Sequence, residues 1–147
     1  MTKVRFYENV QDELLKFAVI ITKTNGKWVF CKHKQRETFE IPGGHREEGE
    51  TIQETAQREL YEETGAISYN IEPICVYSVN DTITSTESFG MLYYANVTKF
   101  ESEIHSEIEK IIVTDKLIEN WTYPDIQPYL IKKYLKRIKK EGESKNG

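Results

Sequence analysis

Hydrophobic and polar residues run together, alternate, or recur every third or fourth position in different parts of the chain, and each pattern predicts an element. Between Lys16 and Lys23, the run Phe17-Ala18-Val19-Ile20-Ile21-Thr22 is continuously apolar, as in a buried strand. Asn25-Gly26 follows, the strongest short hairpin signal, and Lys27 to His33 is the expected return strand. Lys34 to Thr38 reads as a polar loop. Phe39-Glu40-Ile41 reads as a short strand stopped by Pro42-Gly43-Gly44, with the two glycines in a loop. From Thr51 to Thr64 the period becomes helical, with Ile52, Ala56 and Leu60 on one stripe. Thr51 with Glu54 fits a capping box, and Gly65 supplies the stop. Ala66 to Asn80 and Ser88 to Phe100 are extended, separated by a Thr-, Ser- and Asp-rich loop. Glu101 to Lys110 is an acidic loop and Ile111-Ile112-Val113 a short strand. Pro124 to Lys140 is helical, with Ile126, Leu130, Tyr134 and Ile138 assigned to one face; residues 139–147 form a polar tail expected to fray.

No repeat or linker interrupts this series. The 147 residues are therefore expected to form a single α+β domain, with helices packed on a mixed sheet. A composition of 38% hydrophobic and 30% charged residues supports a packed core. The formal charge of −4, with acids and bases read as interspersed, argues against a stable nucleic-acid complex through a basic surface. It leaves room for a small-molecule nucleotide, which needs only a local site. Cys31 and Cys75 both lie in apolar runs and are expected to be buried, reduced thiols; their spacing does not suggest zinc. Met1 to Lys16 lacks an apolar signal core and no run is long enough to span a bilayer. The expectation is a cytoplasmic protein without a membrane partner, monomeric or homodimeric.

The chemistry concentrates between Gly44 and Ala66. Glu59, Glu62 and Glu63 stand at i, i+3 and i+4, on one edge of the expected helix beside its apolar stripe. Like charges so placed raise one another's pKa unless a cation neutralises them. An all-oxygen set suits magnesium, with manganese as a substitute. Glu50 can reach the same edge from the loop, and Arg58, spaced four from both Glu54 and Glu62, can hold carboxylates as a fixed cation. Acidic runs on helices are more often solvated faces, and a Gly-Gly pair more often only a turn. It is the combination that points to a site.

That combination resembles the complete Nudix box: Gly44, five residues, Glu50, seven residues, Arg58-Glu59-Leu60, one residue, Glu62-Glu63, one residue, Gly65, then the apolar Ala66. Every fixed position of the signature is filled. The resemblance implies a Nudix fold, an α/β/α sandwich around a mixed sheet, and metal-dependent hydrolysis of a diphosphate linkage in a nucleotide. It implies that Glu59 and Glu63 are the main metal-binding carboxylates, assisted by Glu62, that Glu50 supports them, that Arg58 orients them, and that Gly44 lets the loop pass the metal. Such hydrolysis needs charge neutralised on non-bridging oxygens and a water placed in line with the leaving oxygen. The base that activates the water varies in this family. A candidate outside the box is Glu107, with Glu103 and Glu109 as competitors.

The box identifies the reaction and leaves the substrate open. Phe39 to Gly44 and Trp121-Thr122-Tyr123-Pro124 resemble the compact MutT-like branch that cleaves nucleoside triphosphates, oxidised purines included, to monophosphate and pyrophosphate. The sequence shows no long N-terminal domain of the kind many ADP-ribose-cleaving dimers carry, which tilts the expectation the same way. Nucleotide sugars or ADP-ribose, dinucleoside polyphosphates and capped RNA are the alternatives, and a non-catalytic nucleotide-binding module is disfavoured by the intact glutamates. Phe39, Tyr77, Phe89, Tyr93 and Trp121 are candidates to stack on a base. Lys32, Lys34 and Arg36 are candidates to meet phosphate, and His45 lies in the loop nearby.

Overall fold

The computed structural model describes residues 2–102 and 108–146, with backbone alone for residues 109 and 142–146. In chain order they form β1 (Thr2–Tyr7), β2 (Leu15–Thr24), β3 (Lys27–His33), β4 (Gly43–His45), α1 (Ile52–Thr64), β5 (Ala66–Asp81), β6 (Thr86–Phe100), β7 (Ile108–Thr114) and α2 (Gln127–Asn146). The β2–β3 hairpin turns through Asn25 and Gly26 at φ 51° and 76°, the paired left-handed conformation that its tight turn requires. Thr51 accepts from the Glu54 amide at 3.1 Å while Glu54 accepts from the Thr51 amide at 2.9 Å, so α1 begins on the expected capping box. It ends on Gly65 in a left-handed cap.

The sheet order is β1-β5-β6-β2-β3-β7, with β2 and β6 parallel and the other pairs antiparallel. The edge of β2 that faces away from β6 is shared. Phe17 to Val19 pair with β4, whereas Thr22 to Thr24 pair with β3. β3 and β4 therefore diverge, and the opening between them is where the site lies.

Side chains on a strand alternate between faces, and the two cores follow that period. Ala18 and Ile20 of β2, with Tyr93, Ala95 and Val97 of β6, meet Ile52, Ala56 and Leu60 of α1. Val19 and Ile21, with Phe30, Tyr77 and Leu92, meet Leu130, Ile131 and Tyr134 of α2. The helices thus cover opposite faces of a mixed sheet. Each fully buried aliphatic side chain contributes about 1.5–3 kcal/mol relative to exposure, so the sheet cannot slip by one residue without losing both cores.

Several elements differ from the sequence reading. Thr2–Tyr7 is a strand, held on the outer half of β5. Phe39 to Ile41 is not one: it makes only isolated bridges, Glu40 to Cys31 and Phe39 to Trp121, and the strand proper is β4, at the glycines expected to form a loop. β7 begins at Ile108, inside the expected acidic loop. The buried stripe of α2 is Gln127, Leu130, Ile131 and Tyr134, and Ile138 is 41% exposed. A strict spacing of four advances about 40° per step, so by Ile138 the row has rotated off the sheet. The helix also continues through Asn146 instead of fraying at Lys139, with Arg137 and Glu141 paired at 3.1 Å across one turn. Cys31 is buried as expected, whereas Cys75 is only half-buried. Nor are the charges interspersed everywhere: Lys132, Lys133, Lys136, Arg137, Lys139 and Lys140 follow on α2 with no acid among them. No helix among the described residues is long and apolar enough to cross a membrane.

Candidate active site

Helix α1 presents its carboxylates toward β4. Gly44 is the point of closest approach: a Cβ there would sit 2.3 Å from the Glu59 carboxyl carbon, so any side chain would displace that carboxylate. Glu59 and Glu63, one turn apart, face inward, with side chains 13% and 10% exposed; Glu62 is on the rim at 45%.

Arg58 is the hub of the box. Its Nε and Nη2 donate to both oxygens of Glu50 at 2.6 and 3.0 Å, its Nη1 to Glu59 at 2.7 Å and Glu62 at 3.3 Å, and Nη2 also to the His45 carbonyl at 2.9 Å. The alternative partner Glu54 is engaged in the cap. The forked contact with Arg58 is the chief reason that the Glu50 carboxyl is lowered to about 2. Glu63 is the opposite case. Its Oε1 accepts from the Gly43 amide at 2.6 Å, yet burial and then the neighbouring carboxylates push its pKa up to about 8. Burial also raises Glu59, although Arg58 opposes the shift.

Sequence reasoning missed Glu40 and His33. His33 Nε2 lies 3.2 Å from Glu40 Oε1 and 3.3 Å from Glu63 Oε2, and Glu40 is 6% exposed, its pKa raised by burial. Arg36 reaches Glu40 at 3.4 Å and the Tyr123 hydroxyl at 3.2 Å, tying the loop after β3 to the segment before α2. A Glu between two apolar residues was the available signal, but in an alternating strand it reads as the outward position.

Two cavities meet here. One, of about 430 Å³, is lined by Glu59, Glu62, Glu63, Glu47 and Arg46. The other, of about 440 Å³, is lined by Phe17, Val19, Tyr77, Val79, Ile126 and Leu130, with Arg36, Glu40, Ser88, Tyr123 and Gln127 among its polar members. His33, Gly43, Gly44, His45 and Glu63 belong to both. Of the aromatic candidates only Tyr77 is on the apolar wall. Phe89 packs on Tyr7, Tyr93 lies in the core under α1, Trp121 packs on Phe30, and Phe39 is half-buried beside it. Phe17 and Tyr123 had not been singled out as stacking residues. Of the cations, Arg36 is on the cavity wall, Lys32 is buried, and Lys34 borders a separate small cleft. Glu107 and Glu103 lie outside the described residues, and Glu109 belongs to β7.

The chemistry of the donors suits a divalent cation. They are carboxylate oxygens, two of them with a pKa raised chiefly by burial. A hard cation would relieve both the burial and the repulsion, and all-oxygen donors suit it. Among the described residues no three His, Cys, Asp or Glu side chains already converge on one point. Glu59 and Glu62 are drawn to Arg58, and Glu63 to Gly43 and His33, so ligation needs rotation of these carboxylates away from their present partners.

Comparison with known proteins gives the same outline. Residues 13–125 match the family model for the NUDIX domain. The chain is 28% identical over 136 residues to the Bacillus subtilis (strain 168) protein named "Putative 8-oxo-dGTP diphosphatase YtkD", covering 86% of this chain and 82% of that one. A crystal structure of the Bacillus subtilis pyrophosphohydrolase BsRppH, a point mutant, superposes with a TM-score of 0.77 at 24% identity, over 92% of each chain. The NUDIX domain of Shewanella oneidensis NrtR, crystallised with ADP ribose, superposes with a TM-score of 0.66 at 19% identity, over 84% of this chain and 88% of that one.

Proposed function

The chain belongs to the Nudix hydrolase family, and from that premise we propose that it cleaves a nucleoside triphosphate to the monophosphate and pyrophosphate, with magnesium as its metal and manganese as a substitute. The observation that carries this reading is the shared wall of the two cavities. It joins a carboxylate-lined space suited to a metal and a diphosphate to an apolar space of nucleoside size. The name of the Bacillus subtilis relative supports a nucleoside triphosphate with an oxidised purine.

In this reading Glu59, Glu63 and Glu62 would hold the cation, which would neutralise charge at the phosphate oxygens and acidify a water. Arg58, anchored by Glu50 and the His45 carbonyl, keeps Glu59 and Glu62 at the site until a cation draws them from it, and Glu63 would likewise turn from the Gly43 amide and His33. The absence of a side chain at Gly44 is what lets the Glu59 carboxylate sit against the β4 backbone. A carboxylate takes the proton of the attacking water, and Glu107 remains the candidate for that role from outside the box.

A second reading, a longer polyanionic substrate such as capped RNA or a dinucleoside polyphosphate, has one observation in its favour. Lys133, Arg137 and Lys140 of α2 line a cleft with Phe6 and Ile74, with Glu8 and Glu141 as its two acids and Glu141 paired to Arg137. Phe6 is opposite Tyr77 in the β1–β5 register, so this cleft lies beside the apolar cavity. The test is a substrate panel in magnesium, with products identified: 8-oxo-dGTP and the ordinary nucleoside triphosphates, ADP-ribose, a dinucleoside tetraphosphate and a capped oligonucleotide. Triphosphates cleaved to monophosphate and pyrophosphate with the highest kcat/KM are expected. Faster cleavage of any other member rejects the triphosphate reading.

A further inference from the structure

Gln127 opens α2 and is 5% exposed, on the wall of the apolar cavity. One of its two polar atoms is fixed by chemistry. The Ile41 backbone amide points at it from 2.8 Å, and an amide N–H can only donate, so the atom facing Ile41 is the side-chain oxygen. The Nε2 group is then turned away from Ile41. Among the described residues it donates to no protein acceptor, and it is not sealed from solvent. The cavity is the space that Gln127 borders. Of the other polar members of that wall, Arg36 donates to Tyr123 and Glu40 and His33 stands against Glu40 and Glu63, whereas His45 and Ser88 are exposed to solvent.

A buried amide with a fixed direction is a reader of one chemical difference. Guanine and hypoxanthine at purine position 6, and uracil and thymine at pyrimidine position 4, carry a ring carbonyl, an acceptor. Adenine and cytosine carry an amino group there, a donor. We propose that Gln127 selects nucleotides with the carbonyl, through a hydrogen bond from Nε2, and disfavours those with the amine, which would set donor against donor. The inference rests on the nucleotide reading of the site. It goes beyond it by assigning a specificity-determining residue and the class of base that residue accepts.

The experiment compares kcat/KM in magnesium for ITP against ATP and for UTP against CTP. Both pairs differ at the position in question. A hydrogen bond made in one case and left unmade in the other is worth about ten- to a hundredfold, so the parent should favour ITP and UTP by that factor. Gln127→Glu keeps an acceptor for the Ile41 amide and replaces the donor by a second acceptor. It should lower kcat/KM for ITP about ten- to a hundredfold and leave ATP level or improved, collapsing the ratio. Equal use of both members of each pair by the parent overturns the assignment whatever the variant does. So does a variant, melting like the parent, that loses ITP and ATP activity by the same factor. If the parent cleaves none of the four and no other nucleoside triphosphate, 8-oxo-dGTP included, but cleaves another diphosphate compound, the nucleoside triphosphate reading fails first and this inference falls with it.

Discussion

Glu63→Gln separates the cost of the carboxylate to the fold from its use in the site. In the metal-free protein Glu63 is 7% exposed and its pKa is raised from an ordinary 4.5 to about 8. The folded state therefore holds this proton more tightly than the unfolded chain does. Stability from this group is fully present below about pH 4.5 and is lost as pH rises toward 8, by about 1.4 kcal/mol per unit. At pH 7.5 that is at most about 4 kcal/mol, and little screening applies at such burial. Glutamine resembles the protonated acid and can still accept from the Gly43 amide. In chelator at pH 7.5, Glu63→Gln relieves about 2–4 kcal/mol, and at roughly 2–4 °C per kcal/mol the variant should melt at least ~4 °C above the parent. Adding magnesium should raise the parent's Tm and barely move the variant's, and turnover should fall by orders of magnitude. Differential scanning fluorimetry with and without chelator, and a pyrophosphate-release assay on the same preparation, read all three. A variant that melts below the parent in chelator, or that keeps both the magnesium shift and the turnover, refutes the argument.

Other perturbations test neighbouring contacts. Gly44→Ala places a methyl on the Glu59 carboxyl, so kcat/KM should fall at least about tenfold with Tm changed by only a few degrees; unchanged kinetics would mean that Glu59 moves without consequence. Arg58→Ala should lose far more activity than its melting point accounts for, and raised magnesium should recover part of it; a variant that melts and turns over like the parent makes Arg58 an ordinary surface residue. Manganese affinity, read by electron paramagnetic resonance, should strengthen as pH rises toward 8, because Glu63 must lose its proton to bind, and activity should favour alkaline conditions; affinity flat from pH 6 to 9 contradicts the assignment. Leu130→Ala, on the buried face of α2, should cost about 2–5 kcal/mol by denaturant unfolding; a loss under 1 kcal/mol would show that α2 does not pack as described.

The elements legible in the sequence are those whose signals are local. Asn25-Gly26 specifies its turn by backbone conformation, and Thr51 with Glu54 specifies the start of α1 by two hydrogen bonds within one turn. What sequence left unread depends on partners far along the chain. Thr2–Tyr7 becomes a strand because β5 offers an edge, and Gly43 to His45 pair because β2 does. The candidate site divides the same way. The box residues announce themselves by spacing, while His33, Glu40 and Gln127 acquire a role only when Glu63 and the Ile41 amide are brought to them. The reach of Arg58 to Glu50 across the loop, in preference to Glu54 on its own helix, is likewise a property of the folded loop.

The single parallel pairing in the sheet has a kinetic consequence. β5 and β6 are joined by a short turn and can zip locally, but β2 can lie beside β6 only after the chain between them has been laid down, α1 included. Loop closure over that separation is slow. Helix α1 packs on the face that β2 and β6 share, so Glu59 is seated against Gly44, and the cradle between them completed, only when that late pairing is made. A metal or nucleotide that recognises only the assembled cradle is then absent from the folding transition state. It should leave the refolding rate unchanged and slow unfolding, so that the bound protein persists by resisting escape from the native state.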